Sequence, residues 1–405
     1  TMNGEMLTIQ NPGVLNLDAG PDFLQGKLLL DNIQWQGSIE IHVRSLDWKL
    51  HAHSKDKAYD NVILHVVWED NGPVYRSDNS LIPTLELKKR VDLQLIEKYE
   101  KLVHAPNTQI PCERMFAKTP DIIKLDMLDR MASERLVAKA RNIDEIRKRN
   151  NGDWEETVYQ TLARSYGLKI NAQTFERLSN LMPFRIIRKH SHSLFELEAL
   201  LFGVAGFLDD DPIDDYHREL KNQFNFLKQK YELHNRLNKS FWKFLRLRPA
   251  NFPTLRLSQF AALLHENSSL FDQFLNITDH SKAEDWIKTK PSAYWRRNYT
   301  FGKASKIKIG GLGKATSDII IINVVVPLLI SYGKSIDSQK YIDRGFKLLE
   351  EIKPEKNKIV RLFQDLELSV TSALDTQALI QLHSEYCNKK ECLRCSIGNY
   401  LVKPK

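Results

Sequence analysis

Cysteine is scarce in this chain, with four in 405 residues. That is too few for a disulfide-stapled scaffold, so a reducing, cytoplasmic setting is the expectation. Long apolar runs are missing as well. The longest, 319–330, contains Asn323 and Pro327 and falls short of the roughly 20 residues that cross a bilayer, so no membrane partner is expected. The first residues, Thr1-Met2-Asn3-Gly4-Glu5, hold no apolar signal-peptide core, and a start on Thr rather than Met points to residues upstream. There is no repeat of fixed period and no low-complexity segment. The glycine-rich stretch 308–314 lacks the spacing and the following Ser/Thr of a Walker loop, which argues against a P-loop nucleotide site.

What is present is the composition of a soluble globular protein, 42% hydrophobic and 27% charged. A chain of this length predicts two or three domains. The formal charge of +8 suits a polyanionic partner.

The pattern changes partway along. Residues 27–30, 39–43, 62–68 and 84–87 read as strands, separated by turn chemistry at Asp70-Asn71-Gly72-Pro73 and Ser77-Asp78-Asn79-Ser80. The run 62–68 is almost continuously apolar, as in a strand covered on both faces. A short helix is expected over 54–59. From about residue 115 the period becomes helical. Thr119-Pro120-Asp121 predicts a cap with Pro at the first helical position. Asp153 with Glu156 reads as a capping box, and Ser193-Leu194-Phe195-Glu196 as a similar start. Further helices are expected near 171–182, 213–231, 255–265, 336–351, 355–365 and 374–386, and 316–332 is read as a buried helix rather than a strand. The predicted organisation is an α/β N-terminal domain (1–112), a larger all-α domain (113–386) and a cysteine-containing tail (387–405).

The densest chemistry lies between Gly20 and His65. Side chains two apart on a strand point the same way, so Glu40 and His42 are expected to project together while Ile39, Ile41 and Val43 face the core. Asp22 follows a Gly20-Pro21 turn that can deliver its carboxylate to such a strand. Two converging carboxylates suit Mg²⁺ or Mn²⁺, and His42 would orient or deprotonate a water. The plainer reading is that Asp22 caps a turn and that Glu40 and His42 sit on a solvated edge. His51, His53 and Asp56 form a second group. His-x-His on a strand would place both rings on one side, with His65 on the neighbouring strand as a further ligand or a satisfied core residue. The group is expected to border the same cleft as Glu40 and His42.

Gly20-Pro21-Asp22-Phe23 followed by Ile39-Glu40-Ile41-His42 resembles the PD-(D/E)xK nuclease-like superfamily. The longer string, from Asn16 and 18–23 through 61–67, looks like an uncharacterised bacterial family of unknown function, over most of the chain. The first resemblance implies a restriction-endonuclease-like fold, with Asp22 and Glu40 as metal ligands and Asp22, Glu40 and His42 as the catalytic set. His42 departs from the usual Lys and gives up a fixed positive charge.

Cys387, Cys392 and Cys395 lie close together, and Cys112 supplies a fourth thiol; four soft ligands suit Zn²⁺ or an iron–sulfur cluster, against the alternative of plain reduced thiols. Some nucleases of that superfamily hold an iron–sulfur site with one remote cysteine and three near the C-terminus. The grouping here is similar, although Cys112 follows the acidic motif rather than preceding it. Arg246, Arg248 and Arg256, with Trp242, Phe244 and Phe252, interleave cations and aromatics, as do Arg296 and Arg297 with Tyr294 and Trp295. Such residues can grip phosphates and stack on bases, or can be core anchors with snorkelling cations.

Three functions fit these features. The first is a metal-dependent nuclease acting on DNA or RNA. The second is a non-catalytic nucleic-acid-binding or scaffold protein on a degenerate nuclease fold. The third is a His/Asp metallohydrolase of a small substrate. No feature of the sequence sets an oligomeric state.

Overall fold

Asp31 and Asn32 both carry positive φ, 47° and 68°, the geometry of a two-residue hairpin turn. They fold β3 (Phe23–Leu30) back on β4 (Ile33–Arg44) in an antiparallel pair that closes at Leu30 and Ile33. In this computed structural model, which describes residues 1, 4–16 and 18–403, the chain forms two units, Thr1–His104 with Val402–Lys405, and Ala105–Leu401. The first unit is built on the hairpin. With β1 (Leu7–Asn11), β2 (Val14–Leu15), β5 (Val62–Glu69) and β6 (Thr84–Glu86) it makes a mixed sheet ordered β1-β3-β4-β5-β6, β2 pairing with β3. The β4–β5 and β5–β6 pairs are parallel. The crossover from β4 to β5 carries a one-turn helix, α1 (Asp47–Leu50). The helix expected over 54–59 appears as two 3₁₀ turns, His53–Lys55 and Lys57–Tyr59. Neither β1 nor α2 (Leu93–Val103) was foreseen in the sequence.

The four expected strands are present, and β5 is buried along most of its length as its apolar run predicts. The sidedness of β4 is the reverse of the expectation beyond Ile39. Ile41 and Val43 are 45% and 66% exposed, whereas Glu40 is only 5% exposed. The face bearing Glu40 and His42 is roofed by the crossover, whose Trp48 ring stands edge-on to His53, His65 and Tyr59. Period alone does not reveal which side of a strand acquires a roof.

The second unit is helical, and its core joins residues from Leu136 to Ala373. Pro120 is the N-cap of α3 (Asp121–Arg149) rather than its first helical residue, and no side chain caps that helix. Asp153 caps the helix Trp154–Tyr166 by accepting from Glu156 N–H. Glu156 does not reach back, because its carboxylate accepts from Phe184 N–H instead, so there is no capping box here. Ser193 caps the helix Leu194–Val204. The remaining expected helices are found at Ala172–Leu181, Asp215–Tyr231, Pro253–Glu266, Gln339–Glu351, Lys358–Asp365 and Ala373–Gln381. Residues 316–332 are helical as read, but within a longer span. Lys314–Ser335 runs 22 residues and is apolar enough to cross a membrane, and 67% of its most apolar stretch is buried within the protein, as in a core helix. A π turn, Ile321–Val325, precedes Pro327 and gives room where its ring would otherwise meet the Asn323 carbonyl.

Candidate metal centre

The centre begins with a turn. Asn16 holds the loop before β3, donating from its side chain to the carbonyls of Ala19 and Pro21 and from its backbone to Asp22 O. Gly20 sits at φ 115°, a region that side chains disfavour. Asp22 therefore arrives at the edge of β4 in a fixed pose. Its backbone N–H donates to Glu40 Oε2 at 3.0 Å, and its own Oδ2 accepts from Ile41 N–H at 2.9 Å. Asp22 and Glu40 are thus brought side by side, each carboxylate held by a backbone N–H of the neighbouring segment.

Four imidazoles gather beside Glu40. His42 Nε2 lies 3.1 Å from His51 Nδ1 and 3.6 Å from Glu40 Oε1, and His53 Nε2 lies 3.5 Å from the same oxygen. The other nitrogen of His42, Nδ1, lies 2.8 Å from His65 Nε2. Donor atoms of His42, His51 and His53 all fall within 4.8 Å of one another. His51 and His53 are not on a strand. His51 follows α1 and His53 opens a 3₁₀ turn, and Ala52 between them adopts the left-handed conformation, φ 58° and ψ 29°. That reversal turns both rings inward. His53 is stacked on Tyr59 at 3.8 Å between ring centroids. Its Nε2 is buried without a hydrogen-bond partner, a state that buried polar atoms rarely keep.

Burial sets the electrostatics. It pushes Glu40 up to about 7, partly offset by the Asp22 N–H and reinforced by the Asp22 charge. It holds His53 down to about 4, with further lowering by His42 and His51. His65 is brought to about 3 by burial first and His42 second. His42 is lowered by burial and by His51. Neutral imidazoles are the form that can bind a cation, and burial favours it for His42, His53 and His65. A cation on His42 Nε2 would leave Nδ1–H donating to His65 Nε2, the outer partner that fixes a ligand tautomer.

Asp56 serves a different end: its carboxylate caps the 3₁₀ turn by accepting from Ala58 N–H at 2.9 Å. The residues unforeseen here are Trp48 and Tyr59, which wall the cluster. Aromatics beside His-x-His were the only available signal, and nothing local told that they would fold over β4. In the second unit Cys112, Cys387, Cys392 and Cys395 line one small cavity. Of the arginines read as phosphate contacts, Arg246, Arg248 and Arg297 are exposed, Arg296 is half-buried and Arg256 is buried. Arg256 is occupied by Gln259 and Asn251. Trp242 and Trp295 are buried in the core, where neither ring can stack on a base.

No curated protein and no solved structure matches this chain. A family model does match, over residues 1–358, and the chain belongs to that family, described as protein of unknown function DUF2851.

Proposed function

We propose that the protein is a metal-dependent hydrolase of phosphodiesters, with nucleic acid as the substrate that its net charge of +8 suits. The observation that carries the reading is the convergence of His42, His51 and His53 within 4.8 Å, beside a buried Glu40. Three protein ligands with an adjacent carboxylate is the donor set of a catalytic centre that keeps a position open. Imidazole nitrogens favour a transition ion such as Zn²⁺ or Mn²⁺ over Mg²⁺. A cation held by them would supply Lewis acidity and lower the pKa of a water. Glu40, at about 7, lies in the range where a carboxyl both accepts and returns a proton at neutral pH. Asp22 positions Glu40, and His65 positions His42.

A second observation supports a nuclease frame of the PD-(D/E)xK kind. Asp22 stands just before β3, Glu40-x-His42 lies on β4, and β5 runs parallel to β4. In that frame Asp22 and Glu40 would hold Mg²⁺ or Mn²⁺, with His42 in place of Lys.

The test is calorimetric titration of metal-free protein with Zn²⁺, Mn²⁺ and Mg²⁺. It is followed by cleavage assays on single- and double-stranded DNA and RNA and on a small phosphodiester. His53→Ala should abolish tight metal binding at the histidine centre. Glu40→Gln should keep it and lose turnover by about 10²-fold or more. Cleavage unchanged in both variants would overturn the site; salt-dependent binding without cleavage would leave a non-catalytic nucleic-acid binder.

A further inference from the structure

The hydrolase reading leaves a second cluster unused. Cys112 precedes the 3₁₀ helix Glu113–Lys118, Cys387 ends the π-helical stretch Leu382–Cys387, and Cys392 and Cys395 lie in the turn before the helix Ser396–Val402. Although 275 positions separate the first from the second, all four border one cavity with Pro111, Tyr386 and Gly398. All four are free thiols, and Cys112, Cys392 and Cys395 are buried. Three of them lie past residue 358, outside the family match.

The surrounding chain is arranged around the sulfurs. Lys390 turns the loop through a left-handed residue, φ 57°. Gly398 lets the last helix approach, since a Cβ there would sit 2.3 Å from the Cys392 carbonyl oxygen. Arg130 braces the rim, donating to Tyr386 Oη at 2.6 Å and to the Arg394 carbonyl at 3.2 Å.

The geometry points to a four-thiolate metal centre formed by Cys112, Cys387, Cys392 and Cys395, which ties the C-terminal segment to the start of the helical unit. A zinc ion and an iron–sulfur cluster share this ligand chemistry. Zinc at about 2.3 Å from each sulfur needs sulfurs about 3.8 Å apart. Among the described residues the histidine trio is the group whose donor atoms come within 4.8 Å of one another, and no three of these thiols do. The sulfurs therefore stand further apart than a bound zinc would hold them.

The decisive measurement is metal content and visible absorption of the full chain purified without oxygen. Iron and sulfide with a broad band near about 400 nm identifies the cluster, and one equivalent of zinc without colour identifies the ion. Either should persist in His53→Ala, which removes only the histidine centre, and be lost in Cys387→Ser and Cys392→Ser. Wild-type protein carrying no metal beyond that lost in His53→Ala overturns the proposal. So does full reaction of four thiols with a thiol reagent in the native, unchelated protein. Both of these readouts use chains with the cysteines intact, so misfolding of a cysteine variant would not obscure the result.

Discussion

His42 and His65 share a hydrogen bond, Nδ1 to Nε2 at 2.8 Å, between adjacent parallel strands. The register that pairs Glu40 with His65 puts the two imidazoles on one face, and burial keeps His65 neutral. His65 therefore reads as the partner that fixes the His42 tautomer. Replacing it with Leu keeps an apolar strand but releases the ring. We expect metal affinity to fall about 10–100-fold in His65→Leu. Calorimetry should show this while circular dichroism shows the sheet retained, and His65→Gln should recover part of the affinity. An unchanged affinity would make His65 a packing residue only.

Ala52 is the hinge of the His51–His53 pair. An L residue in the left-handed region costs roughly 1–2 kcal/mol relative to the right-handed one. Ala52→Gly relieves that strain while loosening the unfolded chain, so stability should change by less than about 1 kcal/mol and metal binding should survive. Ala52→Val places a branched side chain at φ 58° and should cost more than about 1 kcal/mol and weaken metal binding. Thermal melts with and without Zn²⁺ decide between these outcomes.

Much of this was legible in the sequence, for identifiable reasons. The apolar run 62–68 and the alternation around Glu40 are local signals, and β5 and β4 stand where they predict. The meeting of Asp22 and Glu40 follows from a turn feeding a strand, and the structure places His51 and His53 beside Glu40 and His42. The exposure of Ile41 and Val43 was not legible, because the crossover, not the strand, decides which face is covered. The inward turn of His51 and His53 depends on the left-handed Ala52, a residue type with no preference for that conformation. Arg256 looked like its exposed neighbours because burial at the head of a helix leaves no mark on the sequence.

Acid should loosen the metal-free N-terminal unit. His53 and His65 are held to about 4 and about 3 in the folded chain, against an ordinary 6.5. The unfolded chain then binds more protons between those values, so the stability from neutral rings is present above about 6.5 and is lost as pH falls toward 4 and 3. Glu40 acts oppositely. Raised from 4.5 to about 7, it contributes stability that is full below 4.5 and lost as pH rises through 7. Below about 4.5 Glu40 has nothing further to add, and the histidines dominate. Melting temperatures of metal-free protein should fall steeply from pH 5 to pH 3, and less steeply in His65→Leu.

Glu198 is fully buried and raised to about 8 by burial, against hydrogen bonds from Tyr216 and Ser292. It is therefore a neutral acid at pH 7, which an amide can imitate. Glu198→Gln should leave the melting temperature within a few degrees at pH 7. Glu198→Ala leaves Tyr216 without its acceptor and opens a cavity, at a cost of about 2–4 kcal/mol. Stability from a raised carboxyl is full below 4.5 and is lost as pH rises toward about 8, so wild type should weaken between pH 4.5 and pH 8 relative to Glu198→Gln. Equal slopes in the two proteins across that window would show that Glu198 is already ionised in the folded chain.

The arginines separate into structural and surface sets. Arg256 donates to Gln259 at 3.0 Å and to Asn251 at 2.6 Å, and burial lowers it to about 10. Removing it strands both acceptors, so Arg256→Ala should cost about 2–4 kcal/mol of stability. Arg246, Arg248 and Arg297 are exposed, and their alanine variants should melt within about 0.5 kcal/mol of wild type. If nucleic acid lies against them, each variant that loses a phosphate contact should lower the salt slope of binding by about 1, uniformly across sequences. Unchanged slopes in all three would place the nucleic acid elsewhere on the protein. A changed slope in Arg256→Ala alone would trace to unfolding, which the melt of the same sample would show.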